Sequence, residues 1–331
     1  MKITVLGDGA WGTALACNLL KNGHDVTIWG AFPEYLKTMD ETRENSKFLP
    51  GVKLPDSMRF SADPEEAADN ADVLLLATPT QFLRSVLQKF NPLPGIKKKI
   101  FVNVAKGIEK DSWLRISQLV EAESGPVTYA VLSGPSHAEE VIRQVPTLVT
   151  AASADPECAK LVQQIFMNDK FRVYTSSDVV GVELGGALKN VFAIAAGILD
   201  GMKLGDNPKA ALMTRGIHEM GSLGELLGGE RSTFAGLSGI GDLIVTCCSG
   251  HSRNRHVGEE LGRGKSMDEI QQAMGMVVAE GVPTAKGARA LAQQLGVETP
   301  IIDEIYRIIY ENRKVPDAIK ALTNRDAKPE K

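Results

Sequence analysis

Lys2-Ile3-Thr4-Val5-Leu6-Gly7-Asp8-Gly9-Ala10-Trp11-Gly12-Thr13-Ala14 is the stretch whose reading decides the fold. An apolar run ends in three glycines spaced G-x-G-x-x-G, and residues 13–22 follow with helical character. Each glycine meets a physical demand. Gly7 permits a tight turn, Gly9 lets backbone approach a diphosphate, and Gly12 lets helix and strand pack closely. The helix N-terminus then presents free N–H groups and partial positive charge to phosphates. This spacing predicts a βαβ unit of the Rossmann type, built to hold a dinucleotide.

Outward from that unit, residues 3–6, 25–29, 73–77, 100–104 and 128–132 read as strands. They are rich in Val, Ile and Leu without strict alternation, as strands buried on both faces should be. Helix signals lie between them. Asp63-Pro64-Glu65-Glu66, for example, offers an N-cap, a proline at the first helical position and an acidic first turn. Strands separated by helices imply a mostly parallel sheet. The end of the second strand, Trp29-Gly30-Ala31-Phe32-Pro33-Glu34, should read the adenosine ribose. Ala31 supplies neither an acid for a 2′-hydroxyl nor an arginine for a 2′-phosphate, and Glu34 lies further along the loop. The cofactor is therefore NAD(H) or NADP(H), with the choice open.

Beyond about residue 175 helical periodicity takes over. We expect a dinucleotide-binding domain over residues 1–180 and an all-α domain over residues 181–331. Ser177 is placed to cap a long helix reaching about Gly201, and residues 300–312 form an amphipathic helix with Ile301, Ile302, Ile305, Ile308 and Ile309 on one face. The polar tail from residue 323 is expected to fray.

Three strand-end loops should face one crevice: Ala77-Thr78-Pro79, Ala105-Lys106-Gly107 and Ser133-Gly134-Pro135-Ser136. Ser136-His137-Ala138-Glu139 also fits a capping box, so Ser136 either caps a helix or touches a ligand, and the two roles are compatible. His137 carries no partner signal. The helix over 177–201 is apolar nearly all round apart from Glu183, Lys189 and Asn190. A buried lysine needs a partner or a task. Gly185 and Gly186 precede Lys189 on one helical face, which makes either a slot for a small ligand beside the ammonium or a close helix contact. Gly239-Ile240-Gly241-Asp242-Leu243 offers a carboxylate to hold Lys189 or a substrate hydroxyl, or a plain turn aspartate. Ser252-Arg253-Asn254-Arg255 opens a further helix with donors suited to phosphate.

Bulk properties set the remaining bounds. A chain of 331 residues, 43% hydrophobic and 24% charged, is a globular protein long enough for two domains. Its net charge of −4 argues against nucleic acid as a partner. The apolar run around residues 191–199 is too short to span a bilayer, and the N-terminal one too short for a signal peptide, so no membrane insertion is expected. Cys17, Cys158, Cys247 and Cys248 show no metal-ligand spacing, so no metal site is expected, and their scatter fits the reducing cytoplasm.

The glycine turn, Ala105-Lys106-Gly107, Ser133-Gly134-Pro135-Ser136, Val182-Glu183-Leu184-Gly185-Gly186-Ala187-Leu188-Lys189-Asn190-Val191, Gly239-Ile240-Gly241-Asp242-Leu243, Ser252-Arg253-Asn254-Arg255 and Val277-Val278-Ala279-Glu280-Gly281 together resemble bacterial NAD(P)-dependent glycerol-3-phosphate dehydrogenase, end to end and in the family's order. The resemblance implies reversible reduction of dihydroxyacetone phosphate to sn-glycerol 3-phosphate for glycerophospholipid synthesis, by a homodimer joined through the helical domain. It places Lys189 as the catalytic acid/base, oriented with the substrate by Lys106 and Asp242. It also places substrate contacts at Lys106, Gly134, Ser136, Lys189, Asp242, Ser252, Arg253 and Asn254. Cofactor contacts fall at Gly7, Gly9, Ala10, Trp11, Gly12, Ala31, Lys106, Ala138, Arg253, Val278 and Glu280. Many members carry a basic residue where Ala31-Phe32 stands. The rival readings are a 3-hydroxyacid or 6-phosphogluconate type dehydrogenase, whose site would need to recognise a carboxylate, and a non-catalytic dinucleotide sensor.

Overall fold

The computed structural model describes residues 1–275, 278–327 and 329–330. Its strands are β1 (Lys2–Leu6), β2 (Asp25–Trp29), β3 (Glu44–Asn45), β4 (Leu49–Lys53), β5 (Arg59–Ser61), β6 (Val73–Leu76), β7 (Ile100–Asn103), β8 (Thr128–Ser133), β9 (Thr147–Ala152) and β10 (Phe171–Ser176). β3 and β4 pair as a small antiparallel ribbon, and the others form one sheet in the order β10-β9-β8-β7-β6-β1-β2-β5. All its pairings are parallel except β8 with β9. The fold is a Rossmann-type α/β sheet followed by helices, as the glycine spacing and the strand–helix alternation predict.

The five expected strands are present within one residue at each end. β3, β4, β5, β9 and β10 lie outside the five expected strands. The outer strand β10 alternates buried and exposed residues in its first half, and β5 is three residues long, so neither offers a continuous apolar run. In register, Leu6 pairs with Trp29 on one side and Leu76 on the other, Leu76 with Asn103, and Asn103 with Val131. The carboxyl ends of β1, β2, β6, β7 and β8 therefore align, and their loops share one edge of the sheet.

The long helix is Val179–Gly201. Its cap is Asp178, not Ser177: the Asp178 carboxylate accepts from Gly181 N–H at 2.8 Å and from Glu230 N–H at 2.8 Å, whereas Ser177 is exposed one residue too early. By length and composition this helix could cross a membrane, contrary to the expectation drawn from its apolar run at 191–199 alone. Within the protein 89% of its most apolar window is buried. Helices Asp206–Leu226, Asp242–Cys248, Arg253–Gly262 and Gly281–Leu295 wrap it and bury its apolar side chains, Phe192 and Ile194 among them. The expected helix at 300–312 is Pro300–Tyr310, with Ile302 fully buried.

The contact with Arg253–Gly262 is backbone on backbone. A Cβ on Gly258 would lie 1.9 Å from the Ile194 carbonyl oxygen, and one on Gly197 would lie 1.9 Å from that of Arg255. Because the obstructing atoms are backbone, the helices must part to admit a side chain. Gly258→Leu is expected to destabilise the protein by about 3 kcal/mol, the upper part of the range for overpacked cores. A urea midpoint equal to wild type would show that this crossing is not a tight one.

Candidate active site

The glycine turn has the geometry its spacing demands. Gly7 takes φ +136°, and a Cβ there would lie 2.8 Å from the Ala77 backbone. A Cβ on Gly12 would lie 2.4 Å from the Gly7 carbonyl oxygen, whereas one on Gly9 would meet nothing within 4 Å. Gly7 and Gly12 are thus fixed by the fold, and Gly9 keeps clear space over the amino end of helix Ala10–Lys21. In and just after this turn Asp8 Oδ2 and Trp11 Nε1 are buried without a hydrogen-bond partner among the described residues. Buried polar atoms without partners mark places where a polar ligand completes the structure. These residues fit a dinucleotide. Ala31 is exposed beyond the end of β2. Ala138 is buried at the start of a short helix, Ala138–Val141, that packs on Ala10–Lys21.

Across the sheet edge, two lysines converge on one carboxylate. Lys189 Nζ donates to Asp242 Oδ1 at 2.6 Å and to Thr246 Oγ1 at 2.7 Å. Lys106 Nζ donates to Asp242 Oδ2 at 2.7 Å, to the Gly134 carbonyl at 2.9 Å and to Ser136 Oγ at 3.3 Å. An ammonium has three N–H donors. Lys106 therefore has all three engaged, whereas among the described residues Lys189 keeps one free. Asp242 is 1% exposed and Lys189 only 6%.

Burial alone would raise the Asp242 pKa, but the charges of Lys106 and Lys189 outweigh it and hold the carboxyl below the usual aspartate value. For Lys189, burial is the largest influence and disfavours the charged form. Asp242 opposes it, Lys106 reinforces it, and the pKa comes down to about 8.

The two glycines before Lys189 leave no slot. A Cβ on Gly185 would lie 2.4 Å from the Ser238 carbonyl oxygen, and one on Gly186 would lie 2.7 Å from Ser133 Oγ and 3.4 Å from Lys106 Cγ. Both therefore serve close packing, and Gly186 seats the Lys106 stem. Asp242 is the first residue of its helix, after a π-helical turn at Leu237–Gly241. Ser136 caps nothing: the short helix after it has His137 at its N-cap position and no side-chain cap, while Ser136 Oγ donates to the Gly134 carbonyl. The expected capping box is absent because Lys106 and Gly134 engage the serine instead.

A polar strut ties the helices to the sheet. Gly281 N–H donates to Asn254 Oδ1 at 2.8 Å, Asn254 Nδ2 donates to Asn190 Oδ1 at 2.9 Å, and Asn190 Nδ2 donates to the Lys106 carbonyl at 2.9 Å. Ser252 caps helix Arg253–Gly262 by accepting from Arg255 N–H. Arg255 is drawn away to Asp200 at 2.6 Å, so of the two arginines Arg253, exposed at the helix N-terminus, is left facing solvent. Glu280 accepts from Thr80 N–H at 2.8 Å, and burial raises its pKa to about 7. A Cβ on Gly107 would lie 2.8 Å from the other Glu280 oxygen, so this glutamate closes against the strand-end loops. Val278 precedes it in the same half-buried segment, and Val277 lies outside the described residues.

Glu183 is structural: Arg115, Ser117 and Tyr129 all hydrogen-bond it. Thr246 and His137 join the site without having been expected there. Thr246 stands four residues after Asp242 on one helix, a spacing that puts the two side chains together. His137 Nε2 is buried without a partner among the described residues, and its ring centroid lies 5.9 Å from that of His251. Burial first, then the charges of Lys189 and Lys106, lower its pKa.

The model for the NAD-dependent glycerol-3-phosphate dehydrogenase N-terminus matches residues 2–159, and that for its C-terminus matches residues 178–320. A glycerol-3-phosphate dehydrogenase (NAD(P)+) of Bacillus pumilus is 51% identical over 328 residues, which is 98% of this chain and 94% of that one. One of Prosthecochloris aestuarii is 48% identical over 333 residues, covering 100% of both. The crystal structure of glycerol-3-phosphate dehydrogenase from Coxiella burnetii superposes with a TM-score of 0.94 at 37% identity, covering 98% of this chain and 99% of that one.

Proposed function

The chain belongs to the NAD-dependent glycerol-3-phosphate dehydrogenase family, and from that premise we propose that it catalyses reversible NAD(P)H-dependent reduction of dihydroxyacetone phosphate to sn-glycerol 3-phosphate. The observation that carries the mechanism is the buried Lys189–Asp242–Lys106 cluster at the sheet edge. The nicotinamide, when bound beside it, supplies the hydride. Gly7, Gly9, Ala10, Trp11 and Gly12 would hold the cofactor, with Ala138 and Glu280 closing around it.

Lys189 has one N–H free to donate to the ketone oxygen. That oxygen gains charge in the transition state, so an ammonium beside it favours the transition state over bound ketone. Asp242 holds Lys189 in place, and the positive charge of Lys106 makes proton release easier. A pKa of about 8 suits a group that must give and take a proton near neutrality. Ser252, Arg253 and Asn254, at the N-terminus of helix Arg253–Gly262, would position the phosphate by charge and N–H donors. Asn254 also braces Asn190, which ties that position to the lysine cluster.

We extend the reading to a homodimer joined through the helical domain, working in the cytoplasm to supply glycerophospholipid synthesis. Support comes from Leu204, exposed in the loop after helix Val179–Gly201, from Leu226, exposed at the end of the next helix, and from four free cysteines, which suit a reducing compartment. The division into domains at about residue 180 goes with it, because the sheet ends at Ser176 and the core helix begins at Val179.

The test is to mix protein and dihydroxyacetone phosphate with NADH or NADPH in separate cuvettes and to follow nicotinamide absorbance against pH. Oxidation is expected. Its kcat/KM should fall as pH rises through about 8, where Lys189 loses its proton, while the reverse oxidation gains over the same interval. A profile flat across that range would remove Lys189 as the proton donor. Turnover of a carboxylate substrate in place of dihydroxyacetone phosphate would give the chemistry to a hydroxyacid.

A further inference from the structure

The end of β2 carries no side chain able to read the adenosine ribose. In sheets of this kind an acid there accepts from a free 2′-hydroxyl, or an arginine pairs with a 2′-phosphate. Here the positions are Gly30, Ala31 and Phe32, and Glu34 is exposed in the first turn of the next helix, Pro33–Thr42.

Another residue occupies that ground. A Cβ on Gly30 would lie 2.9 Å from Asp8 Oδ2, so the carboxylate of the glycine turn leans from β1 across the bare end of β2. Asn45 fixes the turn from outside: its Nδ2 donates to the Asp8 carbonyl and to Thr13 Oγ1, both at 2.8 Å. The Tyr35 hydroxyl donates to Asn45 Oδ1 at 2.6 Å. Asp8 Oδ2 itself is buried and accepts no hydrogen bond among the described residues. A buried acceptor without a donor destabilises the protein until one arrives.

We infer that Asp8 stands in for the missing strand-end acid: its carboxylate accepts the hydrogen bond of the adenosine ribose 2′-hydroxyl and makes the enzyme select NADH over NADPH. A 2′-phosphate offers only acceptors and the same charge, so it meets repulsion at this oxygen. Lys47 lies on the turn between β3 and β4, with its ammonium 5.7 Å from the Tyr35 ring centroid and 5.1 Å from that of Phe48. Burial raises the Asp8 pKa, opposed first by its own backbone N–H and then by the charge of Lys47. With Asp8 removed, Lys47 is a cation free to attract a 2′-phosphate.

The inference rests on the reductase reading, and direct cofactor binding separates the two. Wild type, Asp8→Ala, Asp8→Asn and Asp8→Ala/Lys47→Met are titrated with NADH and with NADPH without substrate, following bound-nicotinamide fluorescence. Wild type is expected to bind NADH at least about tenfold more tightly than NADPH, and Asp8→Ala to lose roughly tenfold to a hundredfold in NADH affinity, as for a hydrogen bond to a charged group. The same variant should gain NADPH affinity, and the added Lys47→Met should remove that gain. Asp8→Asn keeps shape and acceptor, so it should hold most of the NADH affinity while relaxing the bias against NADPH. It decides the matter if Asp8→Ala does not fold. Wild type favouring NADPH, or a binding ratio unmoved in the Asp8 variants, overturns the inference. NADH selectivity without dihydroxyacetone phosphate turnover would instead sink the reductase reading alone.

Discussion

Lys189→Met is expected to lower kcat for dihydroxyacetone phosphate reduction by about 10²- to 10⁴-fold, the usual worth of one general acid, with little change in KM. Methionine fills similar volume and removes only the ammonium. The carboxylate it leaves behind keeps its 2.7 Å bond from Lys106, so Asp242 is not stranded. Folding should survive, because burial disfavours the lysine's charge. The folded pKa of about 8 lies below the ordinary lysine value, so the unfolded chain binds more protons between the two. Through that window stability rises with pH, and below it the charged lysine is an unfavourable element of the fold. Loss of activity with an unchanged urea midpoint is therefore the signature of the proton donor. Turnover within a few-fold of wild type would remove Lys189 from the chemistry.

Asp242→Asn acts on both lysines at once and should damage folding as well as rate. The carboxylate is 1% exposed and bonded to two ammonium groups, and replacing it leaves two cations facing each other inside the protein. Breaking a buried ion pair from one side costs about 3–5 kcal/mol. The expected result is a urea midpoint lowered accordingly, together with a kcat loss comparable to that of Lys189→Met. In the double variant the two kcat losses should not multiply, because a donor and the group that holds it act as one unit. Fully multiplicative losses would mean that Asp242 contributes to catalysis by a route independent of Lys189.

The two experiments fail in different ways. An inactive, stable Lys189→Met beside an inactive, unstable Asp242→Asn identifies a proton donor resting on a structural pivot. An Asp242→Asn protein as stable as wild type would mean that one lysine sheds its proton when the carboxylate is gone, and the pH profile of that variant should then shift.

The dinucleotide turn and the parallel sheet were legible from residues 2–14 and the apolar runs, since glycine spacing and burial on both faces are local properties written into neighbouring residues. The cluster at Lys106, Lys189 and Asp242 was legible as a set of residues, through a resemblance spanning the chain. Its wiring was not. Which oxygen of Asp242 each lysine takes, the filling of Gly185 and Gly186 by Ser238 and Lys106, and the diversion of Arg255 to Asp200 all depend on partners scores of residues away, and Ser136 leaves its capping box for a near neighbour, Gly134, and the distant Lys106. The same holds for Asp8. In sequence it is the unremarked second residue of a glycine turn, and only the sheet brings its carboxylate over Gly30. Local sequence determined the elements and their order, because backbone preferences and hydrophobic period act over a few residues. Tertiary structure decided which polar groups meet, because burial strips away water and leaves each donor and acceptor to whichever partner the packing brings within 3 Å.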